Sequence, residues 1–267
     1  MRSKVFSHSI QGRRDANEDN HVYFINIDNK YTNCNNINYL AVFDGHGSKT
    51  ISTFLKSFLS PYIINKFPAK IYKKNNRVPQ LFEHFFDIIQ NIIIKKYPRV
   101  SQRSGSTACI IIQYIVNSSN YLWIFNVGDS RAIKCNHFNI AEQLTLDHKP
   151  NSPNELQRIT SLNGQIQFDG FDWRINGLSL SRAFGDVDCT PQVTHKPDIY
   201  HYAIKPDDKF IVVGCDGLYD VLTNQEIVDF VCNLLINKYK HNYAKALTEY
   251  AYEKGSTDNI TVIIYFF

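Results

Sequence analysis

Tyr39-Leu40-Ala41-Val42-Phe43-Asp44-Gly45-His46-Gly47 decides how this chain is read. Five apolar residues end abruptly in an acid, a glycine, a histidine and a glycine. A short apolar run closed by glycine reads as a strand covered on both faces. Its last side chain, Asp44, then stands where the backbone leaves the sheet. Gly45 and Gly47 carry no Cβ, so the backbone there can turn tightly and approach a ligand closely. A carboxylate and an imidazole are thus presented together at the rim of a rigid sheet. Asp-Gly after a strand is equally a hairpin signal, and taken alone the stretch supports either reading. What separates them is whether the pattern recurs.

Outward from this stretch lie 267 residues of ordinary hydrophobicity, enough for one large core, and the chain reads as a single domain over 1–267. The net charge of +4 is mild and dispersed. The largest basic cluster, Lys70 to Arg77, falls between two helical patterns and reads as a solvated connection. Neither nucleic acid nor membrane is expected as a partner. No apolar h-region follows Met1-Arg2-Ser3-Lys4, and no run approaches the roughly 18 apolar residues of a membrane helix. A monomer in the cytoplasm, the nucleus or both is expected. Cys34, Cys109, Cys135, Cys189, Cys215 and Cys232 include no Cys-x-x-Cys pair, and several sit inside apolar runs, as reduced core thiols do.

Val5 to Ile27 reads as two strands around a polar loop, and Asp28 to Asn38 as an exposed, Asn-rich loop. Ile51, Phe54, Leu55, Phe58, Leu59 and Tyr62 predict a helix after Gly47 that Pro61 kinks or shortens. Leu81 to Ile93 predict a second helix, ending before Pro98. Thr107–Val116 and Tyr121–Val127 read as strands joined by an Asn117–Asn120 turn, followed by strands at Arg131–Cys135 and Ile140–Leu146. Ser152, Pro153 and Glu155 predict a helix start with Glu155 as a capping residue. Leu178–Ser181 and Phe210–Cys215 read as strands. Thr223 with Glu226 caps a helix, another runs from about Asn242 to Glu253, and Ile260–Phe267 closes the chain as a strand. Strands apolar almost throughout must be covered on both faces. The predicted fold is therefore α+β, a four-layer α-β-β-α sandwich of two mostly antiparallel sheets with helices on both outer faces.

The pattern at Asp44 does recur. Asp129 follows Phe125-Asn126-Val127-Gly128, Asp216 follows Val213-Gly214-Cys215, and Asp258 precedes the last strand. Glu18 and Asp19 lie in the loop between the first two strands. Any one of these acids is adequately explained as a turn or cap residue. Gathered at one rim, they would repel one another strongly. A divalent cation relieves that repulsion, and an all-oxygen donor set suits Mg²⁺ or Mn²⁺.

The chain resembles the metal-dependent protein phosphatases of type 2C. The resemblance rests on Gln11-Gly12-Arg13-Arg14 with Asn17-Glu18-Asp19; Phe43 to Gly47; Ser104-Gly105-Ser106-Thr107-Ala108; Asn126 to Arg131; Asp147-His148-Lys149-Pro150; Leu180-Ser181-Arg182-Ala183-Phe184-Gly185-Asp186; Cys215 to Val221; and Asp258-Asn259-Ile260-Thr261. Their order covers nearly the whole chain. The resemblance implies hydrolysis of phosphoserine and phosphothreonine in proteins by a metal-activated bridging water at a binuclear Mg²⁺ or Mn²⁺ centre. It implies that Asp44 bridges two metals, that Asp216 and Asp258 complete the first site, and that the Gly45 carbonyl and Glu18 hold the second. Asp19 would orient water, Arg14 would clamp the phosphate, and His46 would be the general acid. Asp129 and Asp220, sharing Asp216, resemble the ligands of a weaker third metal. Ser48 and Leu218-Tyr219 depart from the commoner family pattern without touching a ligand position. Ser106 and Thr107 read as structural, Arg131 and Arg182 as loop-holding ion-pair partners, His148 as a loop hydrogen-bonder and Trp173 as packing. Two rivals stay open: a catalytically weak phosphatase-like binding module, and a metal-dependent hydrolase of small phosphate esters.

Overall fold

The computed structural model describes residues 4–27, 35–66 and 78–267. The Lys70–Arg77 cluster, Cys34 and most of the loop expected from Asp28 lie outside them. Strands β1 (Lys4–Ile10), β2 (Asn20–Ile27), β3 (Asn35–Phe43) and the two-residue β4 (Gly45–His46) open the chain. Helix α1 (Thr50–Phe54) passes through a π-helical turn at Leu55–Leu59 into α2 (Ser60–Lys66), and α3 (Val78–Lys96) follows. Next come β5 (Gly105–Ser106), β6 (Ala108–Val116), β7 (Ser119–Val127), β8 (Arg131–Cys135), β9 (Ala141–Gln143) and α4 (Pro153–Ser161). The ribbon of β10 (Gln167–Phe168) and β11 (Trp173–Arg174) leads to β12 (Phe184–Gly185), β13 (Asp198–Ile204) and β14 (Phe210–Gly214). Helices α5 (Asp216–Tyr219), α6 (Asn224–Ile236) and α7 (Tyr243–Glu253) precede the closing β15 (Ile260–Phe266).

Two antiparallel five-stranded sheets form the centre, in the orders β1-β15-β14-β8-β9 and β13-β7-β6-β3-β2. Alternation along each strand explains why these strands are apolar throughout. In β3, Leu40 and Val42 point inward to meet Ile211, Val213 and Ile263 of the opposite sheet. Tyr39, Ala41 and Phe43 of the same strand point outward, where Phe54, Phe82, Phe86 and Ile89 of the first helices cover them. On the far side, Val212, Val262 and Ile264 pack beneath Val228, Val231, Ala244 and Leu247 of α6 and α7. The four layers expected from the strand composition are present.

The two strands expected around the first polar loop are present as β1 and β2; β1 joins β15 and β2 joins β3, so the loop between them crosses from one sheet to the other. Several local expectations change. Asn35 to Asn38 belong to β3 and not to a loop: Asn35 and Asn38 pair with β6 on either side of an irregularity, and Ile37 pairs with Ile27 of β2. Pro61 does not end its helix. The π-turn just before it widens the spiral, and the helix continues to Lys66. The hairpin turn is two residues, not four: Asn117 and Ser118 both have positive φ (48° and 64°), the geometry that matches strand twist. Leu178–Ser181 is not a strand; among the described residues it makes only an isolated bridge from Leu178 to Ile175. β13, which pairs with β7 at the sheet edge, has no clear counterpart in the sequence reading.

Glu155 is not a capping residue. Its carboxylate is buried and accepts hydrogen bonds from Arg182 (2.6 Å), Arg158 (2.7 Å) and the Ser181 hydroxyl (2.7 Å). Arg182 continues to Asp198 at 2.8 Å, which fastens the start of β13 to this cluster. Burial alone would raise the Glu155 pKa, but these donors outweigh it and bring it down to about 2. With a depressed folded value, the stabilisation is complete above the ordinary glutamate range and is lost as pH falls through about 2. Glu155→Gln should therefore lower stability near neutral pH by about 2 kcal/mol, the cost of removing the charged acceptor of Arg158, Ser181 and Arg182 while Arg182 keeps Asp198. Thermal denaturation measured from pH 7 downward should show the two proteins converging in acid.

Candidate metal centre

Each acid reaches the site because an apolar strand ends there. Asp44 follows β3, and its amide donates to the Thr107 hydroxyl at 3.0 Å while its carbonyl accepts from the Thr107 amide at 2.8 Å. Thr107 in turn bonds Ser130 at 2.7 Å, so this threonine is structural, as expected, and positions the acid. Gly45 is needed for a specific reason: a Cβ would lie 2.4 Å from the Glu18 carbonyl oxygen. Asp129 follows Gly128, whose φ of +99° turns the chain out of β7. Asp216 opens α5 directly after β14, Asp220 follows that single turn, and Asp258 precedes β15.

These positions converge on one cleft of about 610 Å³, whose walls include Arg14, Glu18, Asp44, Gly45, His46, Asp129, Asp216, Asp220 and Asp258. Carboxylate oxygens of Asp44, Asp129 and Asp216 lie within 4.8 Å of one another. Asp129 is almost fully buried, and among the described residues its Oδ1 has no hydrogen-bond partner. A buried carboxylate oxygen without a donor, beside two further carboxylates, fits a hard divalent cation. Asp19 does not line the cleft. It sits behind Asp44, also within 4.8 Å of Cys215, and accepts from the Thr261 hydroxyl at 2.6 Å.

Electrostatics carry the same message. Burial, followed by the charges of Asp216, Asp19, Asp129 and Asp258, pushes the Asp44 pKa well above the carboxylate range. Asp216 is raised by burial and then by Asp129 and Asp220, against the opposing pull of Lys149. Burial brings Asp19 up to about 6. Without cations these acids cannot all stay ionised.

Three residues of the site region had no assigned role in the sequence. Lys149 Nζ lies 2.5 Å from Asp129 Oδ2 and is the ammonium in the acid cluster. Asp186 accepts from His46 Nε2 at 2.7 Å. Arg174, from β11, lines the cleft and pairs with Asp169. Lys149 and Asp186 lie inside motif stretches already singled out, and the contacts themselves depend on how distant segments meet. Arg14 Nη2 lies 2.5 Å from Asp258 Oδ2 with its side chain more than half exposed. Arg131 pairs with Asp147 (2.6 Å) and holds its loop, as expected, and His148 Nδ1 accepts from the Gly128 amide at 3.0 Å. Trp173 departs from expectation: it is 40% exposed beside Phe168 on the ribbon and is not core packing.

A two-sheet sandwich with carboxylates collected at one rim defines a candidate divalent-metal site, and similarity to known proteins gives the family. The family model described as Protein phosphatase 2C matches residues 3–260. The chain belongs to that family, whose members are metal-dependent serine/threonine protein phosphatases. Over 267 residues it is 32% identical to Protein phosphatase 1L of Bos taurus, an alignment covering 97% of this chain and 71% of that one. A PP2C-like domain-containing protein of Acanthamoeba polyphaga mimivirus is 42% identical over 167 residues, covering 54% of this chain and 93% of its own. Among solved structures, a C. elegans sex determining protein superposes with a TM-score of 0.85 at 25% identity, over 98% of this chain and 64% of that one. A serine-threonine phosphatase 2C from Toxoplasma gondii, at a TM-score of 0.83 and 22% identity, covers 98% of this chain and 94% of its own and shares the fold.

Neutralising one member of a repelling cluster should help the metal-free protein. Asp216→Asn is expected to raise the melting temperature in chelator. Wild type should gain about 2.7 kcal/mol of stability at a Mn²⁺ concentration 100-fold above its dissociation constant. The variant should lose most of that gain in a thermal-shift titration.

Proposed function

We propose that this chain hydrolyses phosphoserine and phosphothreonine in proteins with Mg²⁺ or Mn²⁺ as cofactor. The observation that supports this best is the convergence of Asp44, Asp129 and Asp216 around the unpartnered Asp129 oxygen. Asp44, Asp216 and Asp258, with Glu18 and the Gly45 carbonyl, would hold two core ions, and Asp129, Asp216 and Asp220 a weaker third. Such ions, when bound, activate water at neutral pH and offset charge on a transferring phosphoryl group.

The chain's own residues supply the rest. Arg14 stands exposed at the mouth of the cleft, tethered at its inner edge by Asp258. Its guanidinium can bind two phosphate oxygens at once, which an ammonium cannot do with the same geometry. A phosphorylated side chain projecting from a protein surface can reach it there. His46 lines the same cleft beside Asp44. Burial lowers its pKa, but the hydrogen bond and charge of Asp186 more than compensate, so the imidazolium is favoured. An imidazolium can protonate the serine or threonine oxygen as the P–O bond breaks, a contribution of about 10²–10⁴-fold in rate.

Dialysis against a chelator should abolish turnover of a phosphothreonine peptide, and Mn²⁺ or Mg²⁺ should restore it; full activity in excess EDTA would refute the metal-centred reading. Turnover of small phosphate esters without turnover of phosphopeptides or phosphoproteins would favour the small-ester hydrolase instead. For His46, the diagnostic is leaving-group basicity. Nitrophenolate departs without a proton, whereas an alkoxide does not. His46→Gln should cut kcat on the phosphothreonine peptide by at least about 10²-fold. The fall on p-nitrophenyl phosphate should be much smaller.

A further inference from the structure

Three two-residue strands form a small sheet of their own, in the order β12-β5-β4. Gly105, in the central strand, pairs with His46 on one side and Gly185 on the other. A Cβ at Gly105 would lie 2.0 Å from Asp186 Oδ2 and 2.6 Å from His46 Nε2. The space that glycine leaves empty is therefore the space in which His46 and Asp186 meet, at 2.7 Å.

The acceptor is rigidly mounted. Asp186 is almost fully buried and has a left-handed backbone, φ 45°, directly after Gly185 at φ 84°. Both polar groups of the Gly185 backbone are bound by Gln90 of α3 at 2.9 Å, and the Asp186 amide donates to Ser104 O at 3.2 Å. A non-glycine residue in this region is held there by its surroundings. Asp186 does not line the cleft, whereas His46 does. The carboxylate thus contacts a ring that lines the cleft without lining the cleft itself. With Nε2 committed to Asp186, Nδ1 is the one ring nitrogen left for a substrate, and it makes no hydrogen bond among the described residues.

We infer that Asp186 is a positioning residue for the phosphatase reaction: it locks the His46 ring through Nε2 and makes Nδ1 the atom that protonates the leaving oxygen. This rests on the general-acid reading of His46 given above. In the step, the electron pair of the breaking P–O bond passes to the serine or threonine oxygen. That oxygen takes the Nδ1 proton and leaves as the alcohol. Phosphorus keeps the oxygen delivered by water, so the products are alcohol and inorganic phosphate. The ring is left neutral with its Nε2–H still on Asp186. Fixing the second nitrogen of a working histidine with a buried carboxylate is a recurrent way to set ring orientation and tautomer.

The test compares Asp186→Ala, His46→Gln and the double variant in the metal-loaded enzyme, each on a phosphothreonine peptide and on p-nitrophenyl phosphate. Asp186→Ala is expected to lower kcat on the peptide by roughly 10–100-fold, the usual scale for losing an orienting partner. The loss on p-nitrophenyl phosphate should be much smaller. In the His46→Gln background the alanine should add almost nothing, since residues acting through one group are not additive. Equal losses on both substrates, or a full additional loss in the double variant, would show that Asp186 only supports the fold and would overturn the proposal. Should Asp186→Ala not fold, Asp186→Asn decides. Asparagine accepts the left-handed backbone and keeps an acceptor for Nε2 without the charge, so a selective but smaller fall on the peptide supports the proposal and a non-selective one overturns it. His46→Gln falling equally on both substrates would reject the general-acid role itself, a result distinct from a selective His46→Gln beside a non-selective Asp186→Ala.

Discussion

Mutual repulsion among closely gathered carboxylates, one buried and two partly buried, is the constraint on which this protein depends. Asp44, Asp129 and Asp216 are held within 4.8 Å of one another by three strand ends that cannot move apart. The strands are locked by core on both faces, so the acids cannot relax away from one another as surface residues would. Their charge must be met by protons, by Lys149 or by bound cations. A site of this kind favours divalent ions because the scaffold has already met the cost of gathering the ligands.

The sandwich explains why the gathering is possible. Inward residues such as Leu40 and Val42 join the sheets to each other, and outward residues such as Tyr39 and Phe43 join the same strand to the helices. No strand of the central pair can slip by one residue without exchanging these two faces. Register is thereby fixed, and with it the height at which Asp44, Asp129, Asp216 and Asp258 leave the sheets. The loop from β1 to β2 crosses between the sheets at this same rim and carries Arg14 and Glu18 into the cleft.

Around the acids, the polar residues serve to hold loops rather than to react. Thr107 fixes the Asp44 backbone, Arg131 pairs with Asp147, and Glu155 collects Arg158, Arg182 and Ser181. The small sheet over Gly105 belongs to this set but differs in consequence, because one of its partners is the histidine at the cleft. Support and chemistry meet there in a single hydrogen bond.

The apolar runs and their abrupt ends determined the layer architecture from sequence alone. A strand with no polar face leaves only one physical solution, cover on both sides. The acids at Asp44, Asp129, Asp216 and Asp258 were legible for the same reason, since each closes or opens such a run. The partners of Glu155 and His46 were not legible. Glu155 has the spacing of a helix cap, and local pattern cannot report that Arg182 and Ser181 will arrive from 26 or 27 residues further on. β13 is a partly exposed edge strand in which Asp198 and His201 interrupt any apolar run, and the two-residue strands carry too few residues for any period to stand out. Tertiary structure decided these contacts because each joins segments far apart in the chain. The pairing of His46 with Asp186 spans 140 residues and exists only because Gly105 leaves room for it.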